Sequence, residues 1–116
     1  MPGSDVLEKC FMLVMFLNEL RELYNKFNSI SFYNNAVSSE EHVHLTNEIT
    51  CLEELVAVTR DAILNIHTAD SFLATSTVDY STRDVQLFHI VKQYGTENAD
   101  DREKLAGALE EACRSH

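Results

Sequence analysis

Hydrophobic positions recur at helical spacing along most of this chain. From Asp5 to Phe27, apolar side chains return every three or four residues, which is the spacing of one face of an α-helix. The sequence therefore predicts a long first helix, followed by a loop over residues 28–38, where no clear period is present. The predicted buried stripe of the first helix consists of Val6, Cys10, Leu13, Leu17, Leu20, Tyr24 and Phe27, widened by Met12, Phe16 and Leu23.

A second long helix is predicted from Ser38 onward. Ser38 and Glu41 have the spacing of a capping box, in which each side chain bonds to a backbone N–H at the start of a helix. The apolar face that follows is wide, so this helix is predicted to lie centrally and to pack against two neighbours. Its seam is Leu45, Ile49, Leu52, Val56, Thr59, Ile63 and Ile66, and its second flank is Cys51, Leu55, Val58 and Ala62.

Two shorter helices are predicted after a polar stretch that follows His67, in which Phe72 and Leu73 could either form an extra turn or extend the second helix. The third helix begins near Ser81, and Gly95 is predicted to end it. The fourth begins near Asn98. The fold class predicted is all-α: a small antiparallel bundle of three to four main helices, two long and two short, in a single domain over residues 1–116, of which residues 1–4 resemble a cloning remnant. The buried positions predicted for the short helices are Val85, Leu87, Phe88, Val91, Tyr94, Leu105, Leu109 and Ala112.

The composition agrees with helices and indicates a compartment. Only three Gly and one Pro are present, whereas all-β folds need many tight turns. The three cysteines form no CxxC pair, so neither a zinc site of the usual spacing nor a disulfide framework is expected. The longest apolar run, Cys10 to Leu17, is much shorter than the roughly 20 residues of a membrane span. We therefore expect an intracellular, cytoplasmic protein that does not bind membranes.

The formal net charge of −10 argues against nucleic-acid and anionic-lipid partners and favours basic proteins. Nine Lys and Arg residues are scattered among nineteen Asp and Glu residues, so no basic stripe for nucleic acid is present. Such a surface repels phosphates and anionic lipids and attracts basic proteins. The sequence predicts no nucleic-acid partner, and it leaves open an acidic inhibitor or chaperone-like binder of a basic surface.

One set of side chains resembles a metal site. Glu41, His44 and Glu48 lie near the apolar stripe of the second helix, and Glu-x-x-His is half of the di-iron carboxylate pattern. In an antiparallel pair, Glu19 and Glu22 would lie at the same height. A second Glu-x-x-His is missing, so we predict no metal and no cofactor, and a carboxylate/His metal-binding bundle stays as an alternative. No nucleophile or glycine-loop motif is present, and no enzyme activity is predicted.

A surplus of apolar side chains on the first helix suggests a binding surface. Phe11 and Met15 lie one turn apart and face away from the main stripe, with Leu7 and Val14 beside them. Either another helix of the same domain covers them, or they meet a docked helix or a second copy of the chain. The function predicted is a non-enzymatic protein–protein interaction or assembly module that packs a helix face through Leu7, Phe11 and Met15.

Overall fold

Four α-helices and no strand make up the part of the chain that the structure describes. The computed structural model describes the backbone of residues 2–32, 39–72 and 82–114, and the side chains of residues 6–29, 40–66 and 84–114. The predicted Ser38 cap, Leu73 and the predicted start at Ser81 lie outside these residues. The helices are α1 (Pro2–Phe32), α2 (Ser39–Phe72), α3 (Thr82–Gln93) and α4 (Ala99–Arg114), which confirms the predicted all-α bundle of two long and two short helices.

The long helices α1 and α2 run antiparallel and form one layer. The rings of Phe27, near the end of α1, and His42, near the start of α2, lie 4.9 Å apart between centroids. The short helices α3 and α4 form the other layer, and α4 runs antiparallel to α1. Cross-links between α1 and α4 show this direction, since Asn18 pairs with Glu110 while Arg21 pairs with Glu103. The molecule measures 61 × 25 × 21 Å, and its long axis follows the two long helices.

The core lies between the two layers and follows the predicted stripes closely. Each long helix buries one face, as the periodicity of three and four residues predicts. Tyr24, Phe27, Leu52 and Ile66 are partly buried and pack against the edge of the core. The fully or nearly fully buried apolar residues are Val6, Cys10, Leu13, Val14, Leu17, Leu20, Leu45, Ile49, Val56, Ile63, Leu87, Phe88, Val91, Leu105, Ala106 and Leu109.

The central element is α1, and this corrects the prediction that α2 is central. α1 contacts all three other helices, whereas α2 contacts α1 and α3 and makes no contact with α4 among the described residues. The second flank predicted for α2 is therefore largely uncovered, and Leu55 and Val58 are exposed. Met12 on α1 and Val85 on α3 are exposed too, although both were predicted to be buried. The predicted packing of α2 against two neighbours is confirmed, since these are α1 and α3, but α1 packs against three helices and is the central one.

Both long helices extend further than their patterns indicate. α1 continues to Phe32, so the predicted loop over residues 28–38 is wrong for its first five residues. α2 continues to Phe72, which agrees with the second of the two alternatives left open for Phe72, an extension of α2. Ser, Asn and β-branched residues are weak helix formers, but pairing two helices side by side outweighs small propensity differences. The Phe27–His42 contact shows that this pairing persists near the ends of both helices.

The ends of the short helices are held by specific side chains. α3 ends at Gln93, and Gly95 does not have the left-handed conformation of a C-terminal glycine, which corrects the predicted stop. Instead Arg60 on α2 donates its Nε–H to the carbonyl oxygens of Val91 and Tyr94, each at 3.2 Å. α4 begins next to Asn98, as predicted, and Asn98 caps it, because its Oδ1 accepts the backbone N–H of Asp101 at 2.8 Å.

Candidate functional site

An exposed apolar surface extends over parts of α1 and α2 outside the core. Its large side chains are each between 40% and 65% exposed. Isolated exposed hydrophobic residues are ordinary, but a cluster of five on two paired helices is a feature of binding surfaces. We call this cluster the apolar patch: Phe11, Met12 and Met15 on α1, with Leu55 and Val58 on α2.

The register of the two helices brings both halves of the apolar patch to the same height. Phe27 is level with His42, and Leu23 lines the same cavity as Cys51 and Leu52. Because the helices are antiparallel, moving toward the start of α1 means moving toward the end of α2. Residues 12–15 are therefore level with residues 55–58.

An acidic cavity of about 640 Å³ lies between α1 and α2, and helical spacing places it next to Met12, Met15, Leu55 and Val58 along the two helices. Steps of three and four residues lead from Met12 and Met15 to Glu19 and Glu22, and from Val58 and Leu55 to Cys51 and Glu48. The partly buried side chains of Leu23 and Leu52 supply its apolar wall. Its full lining is Glu19, Glu22, Leu23, Lys26, His44, Asn47, Glu48, Cys51 and Leu52.

Carboxylates dominate the charge of the acidic cavity. Glu19, Glu22 and Glu48 face a single lysine, Lys26. His44 Nε2 lies 2.8 Å from a carboxylate oxygen of Glu48, one helical turn away, so this carboxylate already has a local partner. Glu19 and Glu22 make no ion pair with any other described residue. The cavity therefore offers negative charge beside apolar surface.

The three residues predicted to bind a partner have two different environments. Phe11 and Met15 are about half exposed, and no helix among the described residues covers them. Leu7 is partly buried and packs against the core, and its neighbour Val14 is buried. The structure thus brings Phe11 and Met15 together on the outer surface, while Leu7 also contributes to the stability of the bundle. Binding by all three stays a prediction.

The carboxylate and histidine side chains of this region do not form a metal centre in the described part of the chain. Glu19, Glu22, His44 and Glu48 do share one cavity, as the antiparallel register predicts. Glu41 does not line it. No group of three or more His, Cys, Asp or Glu side chains among the described residues is close enough to hold a metal ion.

The cysteines differ sharply in environment. Cys10 is fully buried, and burial, followed by the nearby Cys113 and Asp84, raises the pKa of its thiol to about 12. A thiol of such high pKa is a poor nucleophile, because the thiolate is the reactive form. Cys51 is exposed and lines the acidic cavity. It is therefore the cysteine that an external reagent meets first.

A second, polar cavity of about 450 Å³ lies between α1 and α4. Here the guanidinium of Arg102 lies 5.1 Å from the ring centroid of Tyr24, and its Nη1 donates to the carbonyl oxygen of Thr96. Burial, followed by the nearby Glu53 carboxylate, raises the pKa of the Tyr24 hydroxyl. The Arg102–Tyr24 contact and the Asn18–Glu110 hydrogen bond tie α4 to α1, whereas the Arg102–Thr96 bond holds the segment just before α4. The polar cavity is thus part of the seam between two helices.

Comparisons with known proteins add no family to this geometry. No protein-family model matches the chain, and no curated protein and no solved structure shows significant similarity to it. Among the described residues, no helix is both long enough and apolar enough to cross a membrane.

Sequence reasoning missed the α2 half of the apolar patch. Leu55 and Val58 were assigned to a buried flank because they extend the apolar face of α2. The sequence does contain a signal for their exposure. The apolar faces of α1 and α2 are together wider than the two short helices α3 and α4 can cover, so part of them must stay exposed. Met12 was missed for the same reason.

Proposed function

We propose that this chain is a non-enzymatic interaction module that binds an amphipathic, basic helix of a partner protein in the groove between α1 and α2. The proposal is carried by exposed apolar side chains on both long helices together with a cavity between the same two helices that three glutamates line. Helix-in-groove binding uses an apolar stripe on the ligand helix, and paired helices provide the matching surface. No catalytic step is part of this proposal.

Apolar burial supplies the affinity in this proposal. The five side chains of the patch are each about half exposed and gain from further burial at roughly 25 cal/mol per Å² of apolar surface. Methionine side chains are flexible and suit surfaces that adapt to a ligand. Met12 and Met15 lie in the middle of the patch, so they can adjust to the side chains of a docked helix.

Charge complementarity selects the partner. The groove carries Glu19, Glu22 and Glu48 against Lys26, in a chain of net charge −10. A second copy of the chain carries the same net charge of −10, so bringing two copies together costs free energy through like-charge repulsion. A basic helix would instead be attracted during encounter and held in register. We therefore commit to a foreign basic helix as the occupant.

The test uses a synthetic amphipathic peptide of leucine and lysine together with variants of the patch. Met15→Asp and Val58→Asp remove apolar surface and add negative charge. We expect each variant to weaken peptide binding at least about tenfold, which corresponds to about 1.4 kcal/mol. The matched control is Val85→Asp, because Val85 is equally exposed but lies on α3, and it should bind like the unmodified chain. Isothermal titration calorimetry gives the affinities, and circular dichroism checks the fold.

Two other results would overturn the proposal. If Met15→Asp and Val58→Asp leave binding unchanged or tighten it, the interaction is purely electrostatic, and the chain is an acidic binder of basic surfaces. Steep salt dependence would accompany that result. If the unmodified chain dimerises with rising concentration in analytical ultracentrifugation while Phe11→Asp/Met15→Asp stays monomeric, the occupant of the patch is a second copy.

A further inference from the structure

The groove between α1 and α2 has an apolar end and an acidic end, and this order restricts which side chains a ligand helix can place along it. One end presents Met12, Met15, Leu55 and Val58, and the other presents the acidic cavity. The centres of the two halves are about eight residues apart on each helix, which is about 12 Å at 1.5 Å per residue. A ligand helix that lies along the groove has the same rise per residue, so about eight of its residues span this distance.

From this arrangement we infer that the partner helix is bipartite. Its apolar side chains lie over the apolar patch, and about two helical turns away on the same face it carries arginine or lysine side chains that enter the acidic cavity. This inference rests on the proposed function, since it assumes that a helix docks in the groove, and it adds the order and spacing of the ligand's side chains.

The acidic cavity suits a long cationic side chain in both shape and chemistry. Leu23 and Leu52 provide apolar wall, while the carboxylates of Glu19 and Glu22 lie on the α1 side of the opening. Lysine and arginine combine an aliphatic stem with a charged head, so the stem can contact the leucines while the head meets the carboxylates. A leucine in the same place would add no positive charge to offset the three carboxylates, which Lys26 alone does not balance.

The second helix provides a further carboxylate at the same place. Glu48 already contacts His44 at 2.8 Å, so its position on α2 is held. A cation between α1 and α2 would therefore meet carboxylates from both helices. Lys26 also lines the cavity and is the local competitor for these carboxylates. Its replacement by methionine should strengthen binding of a basic ligand.

The experiment compares synthetic helical peptides of identical composition. The matched peptide has three leucines on one face and three arginines about two turns further along the same face. In the shifted peptide the arginines are moved by two positions, onto the opposite face, with charge and composition unchanged. A ligand helix can dock in either of two orientations along the groove. The matched and shifted peptides are therefore also made with the leucine and arginine halves exchanged. We expect one matched peptide to bind at least about tenfold more tightly than its shifted partner.

Variants of the protein assign that preference to the acidic cavity. Glu19→Gln/Glu22→Gln should abolish the difference between matched and shifted peptides, and Lys26→Met should increase it. Glu97→Gln/Glu111→Gln removes the same number of charges from exposed positions outside the groove and should keep the preference.

The results separate this inference from the proposed function. If matched and shifted peptides bind equally while Met15→Asp still weakens both, a helix docks but it is not bipartite, and only this inference fails. If no peptide binds the unmodified chain, both fail. If Glu97→Gln/Glu111→Gln removes the preference as fully as Glu19→Gln/Glu22→Gln, the preference comes from net charge, and the cavity has no specific role.

Discussion

Single residues in this bundle have different chemistry according to burial, and the cysteines show this most clearly. Cys10 and Cys51 both lie on or beside apolar stripes in the sequence, yet one is fully buried and the other is exposed. The two thiols should therefore differ in reactivity, although their positions in the sequence pattern are similar. The pKa of the Cys10 thiol, raised to about 12 by burial, adds a chemical barrier to the steric one.

Thiol labelling should distinguish the two cysteines directly. We expect a maleimide reagent at pH 8 to modify Cys51 at least about 1,000-fold faster than Cys10, because a thiol of pKa about 12 is almost wholly protonated at this pH. Peptide mass spectrometry at timed intervals measures both rates, with urea-unfolded protein as the control in which the rates converge. Equal labelling of Cys10 in the folded protein would contradict its burial.

The raised pKa of Cys10 also predicts a loss of stability at high pH. The folded thiol keeps its proton up to about pH 12, whereas the unfolded thiol, with an ordinary pKa of 9.0, loses its proton earlier. Stability from this group is therefore complete below pH 9 and is lost as pH rises from 9 to 12. The largest slope is about 1.4 kcal/mol per pH unit. Urea unfolding between pH 8 and 10.5 measures it.

The variant Cys10→Ala isolates this contribution, because Tyr24 and Lys104 also have raised pKa values and add to the alkaline loss. The variant should start at lower stability but fall less steeply with pH. Parallel curves for the two proteins would show that Cys10 titrates with an ordinary pKa.

At the scale of the elements, the sequence predicts what is local and periodic. The four helices and their buried stripes follow from spacing, and Asn98 was correctly placed at the start of α4. The height of Glu19 and Glu22 beside Glu48 followed from the antiparallel pairing alone. The exposure of Leu55 and Val58 could not be predicted from the sequence, because it depends on which side of α2 the distant helix α3 occupies. The sequence also did not predict that Arg60, and not Gly95, holds the end of α3, since that contact joins residues about thirty positions apart.

Arg60 should stabilise the end of α3 measurably. Arg60→Met keeps the aliphatic stem but removes the donor to the carbonyl oxygens of Val91 and Tyr94. We expect a loss of about 1.5–3 kcal/mol in the free energy of unfolding, the usual range for hydrogen bonds that involve a charged group. Amide hydrogen exchange in the last turn of α3 should accelerate as well. Arg114→Met, at an exposed position on α4, is the matched control. Unchanged exchange in α3 would exclude a capping role for Arg60.

At the scale of the whole molecule, charge and shape act together. Nineteen acidic and nine basic residues are spread over a body only 21–25 Å thick. In about 0.01 M salt the Debye length is about 30 Å, so the carboxylates on opposite sides repel one another, while at about 0.15 M it falls to about 8 Å. Net charge of one sign destabilises a compact state and favours association with a basic partner. The same excess charge thus lowers stability and supports the proposed binding.

Added salt should therefore stabilise the isolated chain. We expect the free energy of unfolding to rise by about 1 kcal/mol when NaCl increases from about 0.01 to 0.15 M, because screening weakens repulsion between carboxylates more than it weakens exposed ion pairs such as Lys104–Asp100, which contribute little. Urea unfolding followed by circular dichroism measures the change. Glu97→Lys/Glu111→Lys reduces the excess negative charge at exposed positions, so its unfolding free energy should depend less on salt. A fall in stability with salt in the unmodified chain would mean that attractive pairs outweigh the net repulsion, and the charge excess would then be a weaker argument for a basic partner.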